Sequence, residues 1–211
     1  MARRVWLFVA LSATPVASAG AQEAGVVSAR SALPPADGAY HGGTHLFPGA
    51  GARLTCSIHG GFTSSVQPPA RPGTTVIADY RATFHGELSL ASSAPSVTTT
   101  HAISMPIHMV ERITFGERRG SVQVLDTEFI ALDLQGASLP QGVLVRESPR
   151  LGSFGRTTIT TLERSRSRIE SVYDVWLELS TDGGRSWHAA EAAVRMSIAP
   201  AAPRAGISAG S

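Results

Sequence analysis

Three side chains that could do chemistry together alternate along "SVYDVWLELS": Asp174, Trp176 and Glu178. On a β-strand, residues two apart share a face, so all three are expected to point the same way. An exposed indole flanked by carboxylates suits a sugar, because the ring stacks on a pyranose while the acids accept hydroxyl protons. A fourth acid, Glu191, joins the group if the segment 187–198 folds back on 169–179 and pairs Trp176 with Glu191. The set is poorly spaced for catalysis. Asp174 and Glu178 are four residues apart, about 13 Å along a strand, whereas glycosidase carboxyl pairs stand about 5–9.5 Å apart. The expectation is a ligand-binding face of Asp174, Trp176, Glu178 and Glu191, with no catalytic residue assigned.

Other candidates are weaker. Asp126 and Glu128 in "VLDTEFIALDL" lie two apart, about 7 Å on a strand, a spacing that an acid pair or a calcium site could use but that many exposed strands share. "HGGTH" places His41 and His45 four apart, which would suit zinc on a helix. The intervening glycines disfavour a helix, and no third ligand is set by sequence, although His59, His85, His101 and His108 are available. Cys56 and His59 are three apart in "RLTCSIH", so a strand points them to opposite faces, a poor arrangement for a nucleophile and its base. Arg164, Arg166 and Arg168 in "ERSRSRIE" alternate with small residues and have Glu163 and Glu170 beside them, as expected of a charged strand edge that resists unwanted pairing. No Gly-x-Ser-x-Gly elbow, phosphate loop or dinucleotide fingerprint is present. No cofactor is expected.

The segment "STDGGRSW", residues 180–187, fits the Asp-box pattern Ser-x-Asp-x-Gly-x-x-Trp that recurs in sialidases and other sugar-handling proteins. A propeller would need several copies at blade spacing, and there is one. The expected role is structural: Ser180, Asp182, Gly184 and Trp187 close a hairpin. Asp182 accepts hydrogen bonds from loop amides, the glycines supply positive φ and Trp187 lies across the turn. If Ser180 faces Trp187, then Leu179 faces His188, Leu177 faces Ala190 and Val175 faces Ala192, which puts both apolar sets on one side.

These residues need strands to position them, and the dominant period is two. In "TVIADYRATFHGELSL" (75–90), Val76, Ala78, Tyr80, Ala82, Phe84, Leu88 and Leu90 alternate with polar residues, and Gly86 marks an expected bend or bulge. Further strand-like runs cover 52–57, 97–105, 107–115, 121–134, 142–147, 156–163, 169–179 and 187–198, rich in Thr, Val and Ile. They are separated by breaks such as "GERRG" and "ESPRLGSFG". No stretch has the period of an amphipathic helix. The fold class is therefore all-β: a single antiparallel β-sandwich domain over 51–199, with a β-barrel as the competing architecture. Residues 22–50, rich in Gly, Ala and Pro, are expected to form an irregular arm, and 200–211 a disordered tail.

The first 21 residues read as a signal peptide: Arg3 and Arg4, an apolar run, then small residues ending in Ala-Gly-Ala. The run is about half the ~20 residues that span a bilayer, so no integral membrane segment is expected after cleavage at Ala21. The protein is expected to be exported, periplasmic or extracellular. Lysine is absent, and loss of Arg3 and Arg4 leaves 16 arginines against 16 acids. That balance excludes the clustered basic excess that nucleic-acid binding requires. Cys56 is the only cysteine, so no internal disulfide forms, and its strand context favours burial.

From "DTEFIALDL" through "VLVRESP" and "GRTTIT" to "RIESVYDVWLELSTDGGRSW", the chain resembles a group of uncharacterised exported bacterial β-rich proteins that carry similar blocks in the same order. Many members end in a PEP-CTERM-type sorting tail, which "APRAGISAGS" does not resemble. The resemblance implies an exported β-rich protein and carries over no catalytic residue. The expected function is a non-enzymatic structural or binding module at the cell envelope, with a glycan or an envelope protein as partner. Two alternatives stand beside it: a carbohydrate-binding module using the Trp176 face, and a metal- or carboxylate-dependent hydrolase.

Overall fold

The computed structural model describes residues 25–28, 31–59, 61–91, 97–134, 136 and 138–200. The expected signal peptide and the tail beyond Pro200 lie outside the described residues. Among the described residues twelve strands form: β1 (Val26–Ser28), β2 (Gly38–Phe47), β3 (Ala52–His59), β4 (Thr75–Ala91), β5 (Thr98–Arg119), β6 (Val122–Leu134), β7 (Leu144–Glu147), β8 (Ser153–Thr161), β9 (Ser167–Val175), β10 (Leu177–Ser180), β11 (His188–Ala189) and β12 (Val194–Pro200). Among the described residues no helix is long and apolar enough to cross a membrane.

All the pairings are antiparallel, and they close on themselves. The wall runs β2-β3-β4-β5-β6-β8-β9-β12, and β12 returns to β2 through Ile198 opposite Tyr40. Each wall strand follows its neighbour in the chain, apart from excursions at β7 and at β10–β11, so the molecule is an eight-stranded up-and-down barrel. Of the two architectures that alternation allowed, the barrel forms. Outside the wall, β1 pairs with the start of β9, and β7 joins the end of β6 to β10 and β11.

Closure depends on the stretch expected to be irregular. Residues 38–47 form a ten-residue wall strand instead, with a register shift between His41 and Thr44. A Cβ on Gly42 would stand 3.0 Å from Met196 and 3.1 Å from the Cys56 carbonyl. Glycine there lets β12 and β3 crowd against the bulge, so the composition that reads as a linker is what the closing strand needs. At Gly86 the pairing runs on without a bulge; an added Cβ would lie 2.3 Å from the Thr55 carbonyl.

The runs 97–105 and 107–115 are one strand that continues through Pro106. Pro106 pairs with Thr83 of β4, while β6 begins its pairing only at His108. The missing N–H therefore falls on an edge and removes no ladder bond.

Alternation sorts the wall into two faces. Ile103, Met105, Ile107, Met109, Glu111, Ile113 and Phe115 of β5 all point inward and are buried. An eight-stranded barrel has an interior that side chains can fill. Here aromatic rings fill its centre: Phe129 stacks on Tyr173 at 4.1 Å between centroids, and Tyr40 meets Tyr173 edge-on at 5.6 Å. Phe62, from the connection between β3 and β4, adds its ring 5.5 Å from Tyr80.

Candidate functional site

The Asp-box turn is built as its residue types imply. Ser180 Oγ donates to Asp182 Oδ1 at 2.8 Å and accepts from the Gly184 amide at 2.9 Å. Asp182 accepts from the Ser186 hydroxyl (2.6 Å) and amide (2.9 Å), and these bonds with that from Ser180 hold its carboxyl well below the usual carboxylate range. Gly183 and Gly184 have φ of 76° and 89°. Trp187 Nε1 donates to the Gly184 carbonyl at 3.1 Å. The side chains of Ser180, Asp182, Ser186 and Trp187 are all engaged in holding the turn.

Near that turn the expected register forms, with Leu179 opposite His188 and Glu178 opposite Ala189. Farther out it shifts by two. Val175 pairs with Val194 and Asp174 with Arg195, because Glu191 and Ala192 bulge out of the ladder. A shift of two keeps the faces, but it removes Glu191 from Trp176. Instead, the Glu191 amide donates to the Leu46 carbonyl at 2.8 Å. Its side chain lines a separate cleft of about 310 Å³ with Leu46, Phe47 and Arg53.

Glu178 corrects the sequence reading more sharply. Alternation places it on the outer side of β10, yet it is 1% exposed. The segment after β7 crosses over it: the Ser148 amide donates to the Trp176 carbonyl at 2.9 Å and the Ser148 hydroxyl to Glu178 Oε1 at 3.2 Å. Arg146, its cross-strand neighbour, donates to Oε2 through Nε (3.1 Å) and Nη2 (2.7 Å), and Arg150 donates to Oε1 at 3.3 Å. Burial alone would raise this pKa; the hydrogen bonds from Arg146, Arg150 and Ser148 outweigh it and hold the group below its ordinary value. The Arg146 guanidinium also lies 3.9 Å over the Trp187 ring. Glu178 is thus a structural anion and is closed to ligand. Trp176 is half-buried, with its amide donating to Ser153 Oγ at 3.0 Å.

Of the expected face, Asp174 stays exposed, and it belongs to a different group. Its partner across β8 is Phe154, at 63% the most exposed large hydrophobic among the described residues. Successive registers align Arg112 (β5), Glu128 (β6), Phe154 (β8), Asp174 (β9) and Arg195 (β12) in one row across the outer wall. Arg112 pairs with Glu128 at 2.5 Å, and the Arg195 fork meets both oxygens of Asp174 at 3.1 and 3.3 Å. In the next row Arg156 approaches Asp126 at 3.8 Å. Phe154, Gly155, Arg156, Val172, Tyr173, Asp174 and Arg195 border a groove of about 330 Å³.

The ring of Phe154 lies down along the strand: a Cβ on Gly152 would be 2.7 Å from it. The far edge of the ring therefore reaches back to the residue just before β8. Gly155, next along β8, faces the lumen, where a Cβ would stand 2.4 Å from the buried Tyr173 ring. Sequence reasoning placed Phe154 in the break "ESPRLGSFG" and so missed it. The signal was present in "SFGRTTIT", where Phe154 shares its alternating face with Arg156, Thr158 and Thr160.

The other candidates do not converge. Asp126 and Glu128 share the outer face of β6 but answer to Arg156 and Arg112. His41 is exposed and His45 buried, on either side of the β2 bulge. Both ring nitrogens of His45 lack a protein partner, and burial lowers its pKa to about 4, so the ring is neutral. Cys56 is buried at 3% exposure, as its strand context implied, and burial pushes its thiol up to about 12. Among the described residues, no three His, Cys, Asp or Glu side chains gather as a metal site would require.

A strongly perturbed acid, Glu111, lies inside the barrel. All three tyrosines of the chain surround it. Tyr80 Oη donates to Oε2 at 3.3 Å and Tyr173 Oη to Oε1. Tyr40 stands beside them and donates to Ser171 Oγ at 3.4 Å. Burial pushes Glu111 up to about 7, and the two tyrosine hydroxyls pull against it. Comparison with known protein families, curated proteins and solved structures finds no match. What the wall can do chemically is therefore read from the Phe154 row itself: a fixed apolar platform, with hydrogen-bond donors and acceptors on both sides.

Proposed function

We propose that this chain is an exported, non-enzymatic barrel module that acts at the cell envelope by binding a partner on its outer wall. One observation carries the reading. Three groups suited to reaction chemistry, Glu111, His45 and Cys56, are sealed inside at 2%, 0% and 3% exposure, and half-buried Glu147 is held by the Ser153 hydroxyl, while the groove at Phe154 is open. A perturbed acid marks a catalytic site when a cleft reaches it. Here it is packed under aromatic rings.

Export is supported by Arg3, Arg4 and the apolar run that follows, and by the resemblance to exported β-rich proteins. The outer wall carries Asp79, Arg112, Glu128, Arg156, Asp174 and Arg195 along its strands. Arginine on a lipid-facing barrel surface costs about 2–4 kcal/mol at the bilayer midplane, so this wall suits water and a polar partner.

The reading is tested by placing a photo-crosslinking amino acid at position 154 in cells and, separately, at Leu46, which is also exposed (46%) but borders the other cleft. Adducts with an envelope component are expected at 154 and not at 46. No adduct at 154, or the same adducts at both positions, overturns the proposal.

A further inference from the structure

We infer that the Phe154 groove is a carbohydrate subsite for a neutral glycan, with one sugar ring stacked on Phe154 and its hydroxyls bonded to Asp174 and Arg195. The inference rests on the outer-wall reading above and names the ligand class of the same groove.

Three features select this ligand. The platform comes first. The far edge of the Phe154 ring rests against Gly152 while the residue stays 63% exposed, so an apolar surface stands open on the barrel wall. A ring restricted by that contact loses little freedom when a pyranose settles on it.

Charge balance comes second. Each charge bordering the ring is paired within the row or the next one: Arg112 with Glu128, Asp174 with Arg195, and Arg156 with Asp126. An ionic ligand would have to displace one of these partners. A neutral polyol does not, because carboxylate and guanidinium keep hydrogen-bonding capacity beyond their mutual bonds. The Asp174–Arg195 fork therefore presents acceptor and donor side by side, the complement of two neighbouring hydroxyls.

The third feature is the closed wall. β8 is paired along both edges, with β6 on one side and β9 on the other, and β9 continues to β12. A peptide would find no free backbone edge there on which to add as a strand. The groove itself crosses β8, β9 and β12, two strand spacings or about 10 Å, so it accepts a short stretch of sugar running across the strands.

The test is retention of the purified exported protein on insoluble cellulose, chitin, xylan and curdlan, with alginate as an anionic control, at low and high salt. The variants are Phe154→Ala and Phe154→Trp. Phe154 is exposed, so truncating it leaves the core intact, which thermal melting verifies. The expected result is salt-insensitive retention on at least one neutral polymer, competition by its soluble oligosaccharides, a loss of about tenfold in affinity for Phe154→Ala and retained binding for Phe154→Trp. Retention that Phe154→Ala leaves unchanged overturns the inference, as does retention on alginate alone that salt abolishes. If no polymer retains the protein while position 154 still crosslinks to an envelope protein, the glycan assignment fails and the binding-module reading stands. If neither occurs, both fail.

Discussion

Glu111 and Glu178 are both nearly removed from solvent, at 2% and 1% exposure, and the barrel treats them in opposite ways. Glu178 sits on the outer side of β10, where arginines from β7 and the following segment reach down over it. Glu111 points into the lumen, where its partners are neutral tyrosine hydroxyls. Among the described residues no arginine is buried. The first carboxyl therefore stays charged below its ordinary pKa, and the second takes up a proton near neutral pH. Burial is common to both; the side of the wall decides which partner is within reach.

Removing either acid separates the two cases. Glu178→Ala strands Arg146 and Arg150 and unties Ser148 from β10. It should cost about 3–4 kcal/mol, read as a lower urea midpoint at pH 7; a cost near zero would mean that these ion pairs hold nothing in place. For Glu111 the sign reverses. Its folded pKa of about 7 lies above the ordinary 4.5, so between those values the folded state holds more protons than the unfolded one. Stability should therefore fall as pH rises from about 4.5 to about 7, by about 2–3 kcal/mol, and stay level above. Glu111→Gln should remove most of that slope and be the more stable protein at pH 8. Half-buried Glu147, which burial also raises to about 7, accounts for a residual slope. An unchanged pH profile in Glu111→Gln would refute this account of the lumen.

Smaller changes sharpen the comparison. Tyr173→Phe removes a donor to the Glu111 carboxyl and should cost about 1–2 kcal/mol at pH 8 and less at pH 5, where the carboxyl is protonated. Arg146→Lys keeps the charge near Glu178 but loses the two-nitrogen contact and the stack on Trp187. It should cost about 1 kcal/mol with little pH dependence between 6 and 8. Equal responses of the two variants to pH would erase the distinction between the sites.

Much of the frame was legible residue by residue. The alternation in 75–90 gave strand and facing together, and Cys56 in "RLTCSI" was read as buried. The Asp-box turn formed with its hydrogen bonds where Ser180, Asp182, Gly184 and Trp187 implied. The proposed sugar face was not legible. Glu178 has the outward position that alternation requires, but the crossing segment from Ser148 to Leu151 covers it. Glu191 lost Trp176 to a two-residue bulge, and Phe154 looked like part of a break because two glycines flank it. In each case the missing information was which distant segment lies alongside.

By itself the sequence determined what is local in the chain: period-two strands, the turn chemistry of 180–187 and the hairpin register next to that turn. These depend on backbone sterics and hydrogen bonds between near neighbours. Only the tertiary structure decided that the sheet closes, because alternation is the same in a sandwich and a barrel, and closure rests on β12 meeting a glycine-rich strand at the other end of the chain. It also decided that Tyr80 and Tyr173 share Glu111, and that Phe154 lies between Glu128 and Asp174. Those neighbours are set by the register of strands far apart in sequence, which no local pattern encodes.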